Sequence, residues 1–93
     1  MIVGVKAWEL QLAGCQSLKD KRRVIKSLKD RLHARFNVSV AEVDHQDSWQ
    51  RAALAASVVS NDQRHAAEVL GACDQMVQRE PLAHIVTSET SFL

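Results

Sequence analysis

Among 93 residues there are three glycines and one proline, too few for a linker or a low-complexity segment. There is no tyrosine, and the aromatics are two tryptophans and two phenylalanines, little material for a sheet that reads bases by stacking. The two cysteines, Cys15 and Cys73, lack metal-ligand spacing and read as reduced thiols of a cytoplasmic protein. No apolar run approaches the ~20 residues that cross a bilayer. The N-terminus also lacks a basic segment followed by a hydrophobic one, so no membrane association is expected. The chain contains no phosphate-cradling glycine loop, no zinc motif and no Ser-His-Asp order. What is there is apolar: 46% hydrophobic residues, too many for a disordered tail and about right for one compact domain over residues 1–93.

Charge is sparse in net terms, at +1, but unevenly placed. Residues 19–35 hold Lys19, Lys21, Arg22, Arg23, Lys26, Lys29, Arg31 and Arg35 against Asp20 and Asp30, a net charge of +6, which leaves −5 for the rest. The basic segment is the part of the molecule suited to an anionic partner.

The chain opens with an apolar strand, Ile2 to Leu12, in which Val3, Val5 and Ala7 point one way and Ile2, Gly4 and Trp8 the other. Apolar residues on both faces predict a central strand. Ser17-Leu18-Lys19-Asp20 resembles a capping box, and the helix that follows runs to Arg35 or Phe36, with Asn37 a candidate left-handed terminator. Spacing of 100° per residue gathers Leu18, Val24, Ile25, Leu28, Leu32 and Phe36 on one side and sets Lys19, Arg22, Arg23 and Lys26 on the other. Val38 to Val43 is β-branched and alternating, hence a strand. Asp44 to Ser48 is turn-like, and Trp49 to Ser60 is a third strand whose alanines leave a helix open on periodicity alone. Asn61 and Asp62 are good N-caps for a second helix that Pro81 must follow. Gly71 within that helix suggests close packing. His84 to Phe92 is a last strand, polar enough to lie at an edge.

The order βαββαβ, with right-handed crossovers, predicts an α+β ferredoxin-like domain: a four-stranded antiparallel sheet with both helices on one face. The other face would stay uncovered and rich in apolar side chains, which points to a homodimer formed through the sheet.

Four segments in order, Ser17-Leu18-Lys19-Asp20-Lys21-Arg22, Phe36 to Val43, Gln46-Asp47 with Trp49-Gln50-Arg51-Ala52, and Val58-Val59-Ser60-Asn61-Asp62, make the chain resemble the YlxP-like family of small bacterial proteins of unknown function. The resemblance spans essentially the whole chain. It implies a ferredoxin-like fold and no activity. The genes of such proteins often lie near those for translation initiation and ribosome maturation factors, which implies work on RNA or the ribosome.

Lys19, Lys21, Arg22, Arg23 and Lys26 are therefore the candidate nucleic-acid-binding residues, set against the plainer reading of a solvated face. Helix dipoles disfavour cations in a first turn by about 0.3–1 kcal/mol, so stability does not account for them. Lys21 differs from the others: it falls inside the apolar arc, where it would snorkel, pair with a carboxylate at a strand end, or bind an anion at the helix start. Trp8 and Trp49 are the candidate interface residues. Trp8 is the one aromatic placed where a base could stack, and Trp49 is a packing anchor or contact at the hairpin end. Asp44, His45 and Asp47 could do acid–base or metal chemistry, yet turn formation accounts for Asp44, Asp47 and Ser48. His33, His65 and His84 are scattered. The expectation is a non-enzymatic cytoplasmic protein without cofactor or metal that binds RNA or a ribosomal subunit. The alternative is a protein-interaction module using the open sheet face.

Overall fold

The computed structural model describes residues 1–93. Six elements follow one another: β1 (Ile2–Gln11), α1 (Leu18–Arg35), β2 (Ser39–Asp44), β3 (Arg51–Ser60), α2 (Gln63–Gln78) and β4 (His84–Phe92). The strands form one sheet in the order β2-β3-β1-β4 with every neighbour antiparallel. The apolar β1 and β3 are central, and the Thr/Ser-rich β4 is an edge. The alanine-rich segment is a strand because both its faces are used: Ala52, Leu54, Ala56 and Val58 are buried toward the helices, while Ala53, Ala55 and Ser57 stand on the other face opposite Glu9, Ala7 and Val5.

The core lies between sheet and helices. Trp8, Leu10 and Leu12 from the β1 end meet Ile25, Leu28 and Leu32 of α1, Leu54 and Ala56 of β3, and Cys73 and Val77 of α2. A smaller cluster of Val58, Ala66 and Leu70 closes the far end, with Ile2 and Phe92 against it. Gly4 is closely packed there. A Cβ at that position would lie 3.0 Å from the Leu70 side chain and 3.3 Å from Phe92, so a side chain added at Gly4 would push against the ends of both.

Both helices start as their sequences direct. The Ser17 hydroxyl accepts the Asp20 N–H at 3.0 Å, and the Asp20 carboxylate accepts the Gln16 N–H at 3.1 Å, one residue before the usual partner of a capping box. Asp62 caps α2 by accepting the Arg64 N–H at 3.0 Å. Two local expectations are corrected. Asn37 is not a left-handed terminator: Phe36 packs against the core and leaves α1 in an extended conformation (φ −131°), and the single non-glycine residue with positive φ is His45. Gly71 does not mark close packing, because a Cβ there would meet nothing within 4 Å.

The principal extents are 42 × 21 × 17 Å. The shortest fits one sheet and one helix layer about 10 Å apart, with the second sheet face bare.

Candidate nucleic-acid interface

Three turns of α1 decide which cations are free. Lys19, Arg22, Arg23 and Lys26 follow the i, i+3, i+4, i+7 spacing of one helical stripe, which spans about 10 Å of axis. All four are exposed. Lys26 is tied to Asp30 at 2.7 Å, and that hydrogen bond holds the Asp30 carboxyl below its ordinary value. Lys19, Arg22 and Arg23 make no ion pair with any carboxylate. The helix start is already occupied by Ser17 and the Asp20 carboxylate. An anion reaching this surface therefore meets side-chain cations rather than bare backbone N–H groups.

Lys21 does not belong to that surface. Its side chain is 1% exposed, on the inner face of α1, with Nζ 2.8 Å from Glu42 Oε2 and donating to the His45 carbonyl. Of the roles open to it, pairing with a carboxylate near a strand end is the one adopted. Position 21 lies between Leu28 and Ile25 on the wheel, and an ammonium so placed reaches β2 before it reaches water. The left-handed conformation of His45, at φ 63°, turns its carbonyl toward the lysine. The His45 ring in turn sits 3.1 Å from Glu9, which lies 3.5 Å from Arg51. These groups hold the β2–β3 turn against α1 and β1, and no group of three His, Cys, Asp or Glu side chains converges as a metal site would require.

Trp8 is likewise corrected as an interface residue. Even-numbered residues of β1 face the helices, so the indole is 1% exposed and its Nε1–H donates to Asp74 Oδ1 of α2 at 2.8 Å. It anchors α2 on the sheet and offers no face to a base. Trp49 stands at the hairpin end beside Asp47, Ser48 and Gln50, 51% exposed, and remains free for contact. Cys15 and Cys73 are buried unpaired thiols. Burial pushes Cys73 up to about 11; burial, with the charge of Asp20, also raises Cys15.

The bare sheet face is assembled from Val3, Val5 and Ala7 of β1, Ala53, Ala55 and Val59 of β3, and Ala41 of β2. Ser57 and Ser39 interrupt it, and Glu9 with Arg51 closes one end. Its apolar side chains are small, and carboxylates border them: Glu89 of β4 stands opposite Ala7 and Asp44 of β2 opposite Ala53.

Sequence reasoning missed Arg79 and the groove it shares with Arg31 and Arg35 between the two helices. Helical spacing sets Arg31 and Arg35 away from the Arg22–Lys26 stripe, but which element they face depends on how α2 docks.

This arrangement of elements defines a ferredoxin-like α+β protein. The chain matches, over residues 3–90, the family described as "Protein of unknown function (DUF503)", and it belongs to that family. It is similar to "Uncharacterized protein YlxP" of Bacillus subtilis (strain 168), 37% identical over 60 residues that cover 64% of this chain and 65% of that protein's length. Solved structures share the fold at low identity. A de novo designed protein with ferredoxin fold superposes with a TM-score of 0.55 at 14% identity, covering 97% of this chain and 84% of the design. A variant of SnoaB, a cofactor-independent oxygenase from Streptomyces nogalater, gives 0.54 at 14% identity over 99% of this chain and 90% of its own.

Proposed function

We propose that this chain is a non-enzymatic cytoplasmic protein that grips the phosphate backbone of a structured RNA, such as that of a ribosomal subunit, through the solvent face of α1. One observation carries the reading: Lys19, Arg22 and Arg23 are exposed and unpaired on one stripe, at the helix end where cations are electrostatically least favoured. Arginine forks fit phosphate oxygens in pairs, and Lys26 can exchange Asp30 for a phosphate. Contact at this stripe is with backbone and shape, and the sheet adds no exposed aromatic for stacking.

The test is binding of the purified chain to small ribosomal subunits and to structured RNA at low and moderate salt, beside an Arg22→Glu/Arg23→Glu double variant. Expected is saturable binding that weakens steeply with salt and that the variant loses, each lost phosphate contact lowering the salt slope by about one. Affinity that ignores salt, or that the variant retains, overturns the reading.

A second reading is favoured by the bare sheet face. The small side chains at its centre, apolar except for Ser57 opposite Val5, suit packing against a flat partner about 10 Å away, and the partner that presents the same surface is a second copy of this chain. Sedimentation of Val5→Glu against the unaltered chain tests it: a dimer that the variant splits supports association through the sheet, and a monomer in both refutes it.

A further inference from the structure

A groove of about 390 Å³ lies along the seam between the last two turns of α1 and the C-terminal half of α2. Arg31 and Arg35 of α1 stand on one bank and Gln75 of α2 with its C-cap Arg79 on the other, with Phe36 and Met76 among the apolar side chains of the floor. The arginines are not equivalent. Arg31 is held in place: its guanidinium pairs with the Glu80 carboxylate and its Nε–H donates to the Ser27 carbonyl at 3.3 Å. Glu80 is itself buried and accepts the Leu82 N–H at 3.2 Å. Arg35 and Arg79 are exposed and make no ion pair. The Arg35 guanidinium lies 5.9 Å from the centre of the Phe36 ring, within cation–π range. Each arginine by itself suits a helix C-terminus. That preference gives no reason for two unneutralised guanidinium groups to share one groove floored by an aromatic ring and a thioether.

The chemistry these groups have in common is that of an unpaired nucleotide. Two free arginines can take a phosphate, an aromatic–thioether floor can take the face of a base, and a carboxamide can reach a base edge. We propose that the α1–α2 groove is a site for one unpaired nucleotide, its phosphate on Arg35 and Arg79 and its base against Phe36 and Met76. The proposal that the nucleotide belongs to a bound RNA rests on the RNA reading of α1; a free nucleotide is the other source of the same chemistry. Arg23 and Arg35 are separated by about 18 Å of helix axis, so a strand held at the first turns of α1 can run along the same helix into the groove.

The chain has two methionines, and their methyl groups report the outcome without any substitution: Met76 lines the groove, and the fully exposed Met1 is the control. Methyl-labelled protein is titrated with a single-stranded RNA oligonucleotide, with the matching duplex, and with 5′-nucleoside monophosphates. An Arg35→Ala/Arg79→Ala variant of these exposed positions is carried through the same series. Expected is a shift of Met76 and not of Met1 on adding single strand, with single-strand affinity about tenfold weaker in the variant and duplex affinity unchanged. RNA that binds while Met76 stays still, or a variant that loses single strand and duplex alike, overturns the groove and leaves the α1 reading intact. A Met76 shift with monophosphates but no RNA binding supports the groove and removes the α1 reading. Stillness of Met76 toward every probe overturns the proposal outright.

Discussion

At the scale of single residues, the most informative side chain is the one that leaves the basic face. Lys21 is buried with its charge, and the two groups that compensate it, Glu42 and the His45 carbonyl, come from β2 and the turn after it. Removing one partner of a buried pair strands the other, whereas removing both can be nearly neutral. Lys21→Met is therefore expected to lower unfolding free energy by about 3–5 kcal/mol, with Lys21→Met/Glu42→Leu recovering most of that loss. Urea denaturation of the two variants checks this, and a double variant as unstable as the single would refute the pairing. Cys73 supplies a second residue-scale expectation. Burial pushes its thiol from 9.0 to about 11, so the folded chain keeps a proton that the unfolded chain releases. The full stability is present below pH 9 and declines as pH rises from there through about 11. In Cys73→Ala that alkaline decline should flatten, as thermal melts across the range would show.

Elements were legible where spacing carried the information. The 100° arc of α1 sorted Ile25, Leu28 and Leu32 from Arg22, Arg23 and Lys26, and the alternation of β1 set Trp8 opposite Val5 before any fold was known. The sequence could not say which side of β1 the helices would cover. That choice turned Trp8 from a surface aromatic into a core anchor bonded to Asp74, and it depends on the whole βαββαβ path rather than on β1. The arginine groove was hidden for the same reason, since it exists only once α2 lies along α1. Gly71 marks the limit of propensity arguments: it sits in α2 with open space around it, so neither packing nor backbone geometry calls for glycine. Gly71→Ala should raise stability by about 1 kcal/mol through helix propensity. Gly4→Ala, by contrast, should lower it, since its Cβ would press on Leu70 at 3.0 Å. Melting temperatures of the pair, moving in opposite directions, separate the two glycines; a gain at both would mean that α2 does not sit tightly on β1.

For the molecule as a whole, the two candidate surfaces lie on opposite sides of a slab whose smallest extent is 17 Å. The cations of α1 are in the helix layer, and the small apolar side chains of β1 and β3 are on the bare face of the sheet. If two copies join through their sheets, the helices stay outermost, and the dimer carries two separated basic surfaces rather than one continuous one. The surfaces should then be independent, because energetic coupling falls away between sites that share no side-chain contacts. Val5→Glu, which places a charge at the centre of the sheet face, should produce monomers whose affinity for a short RNA matches that of the unaltered dimer per protomer. Arg22→Glu/Arg23→Glu should abolish RNA binding and leave the dimer intact. Light scattering and titration calorimetry on both variants would read mass and stoichiometry separately, with one RNA bound per protomer in each state. A Val5→Glu monomer that also loses RNA would show instead that the binding surface is completed across the dimer, with the sheet face and the basic helix serving one site.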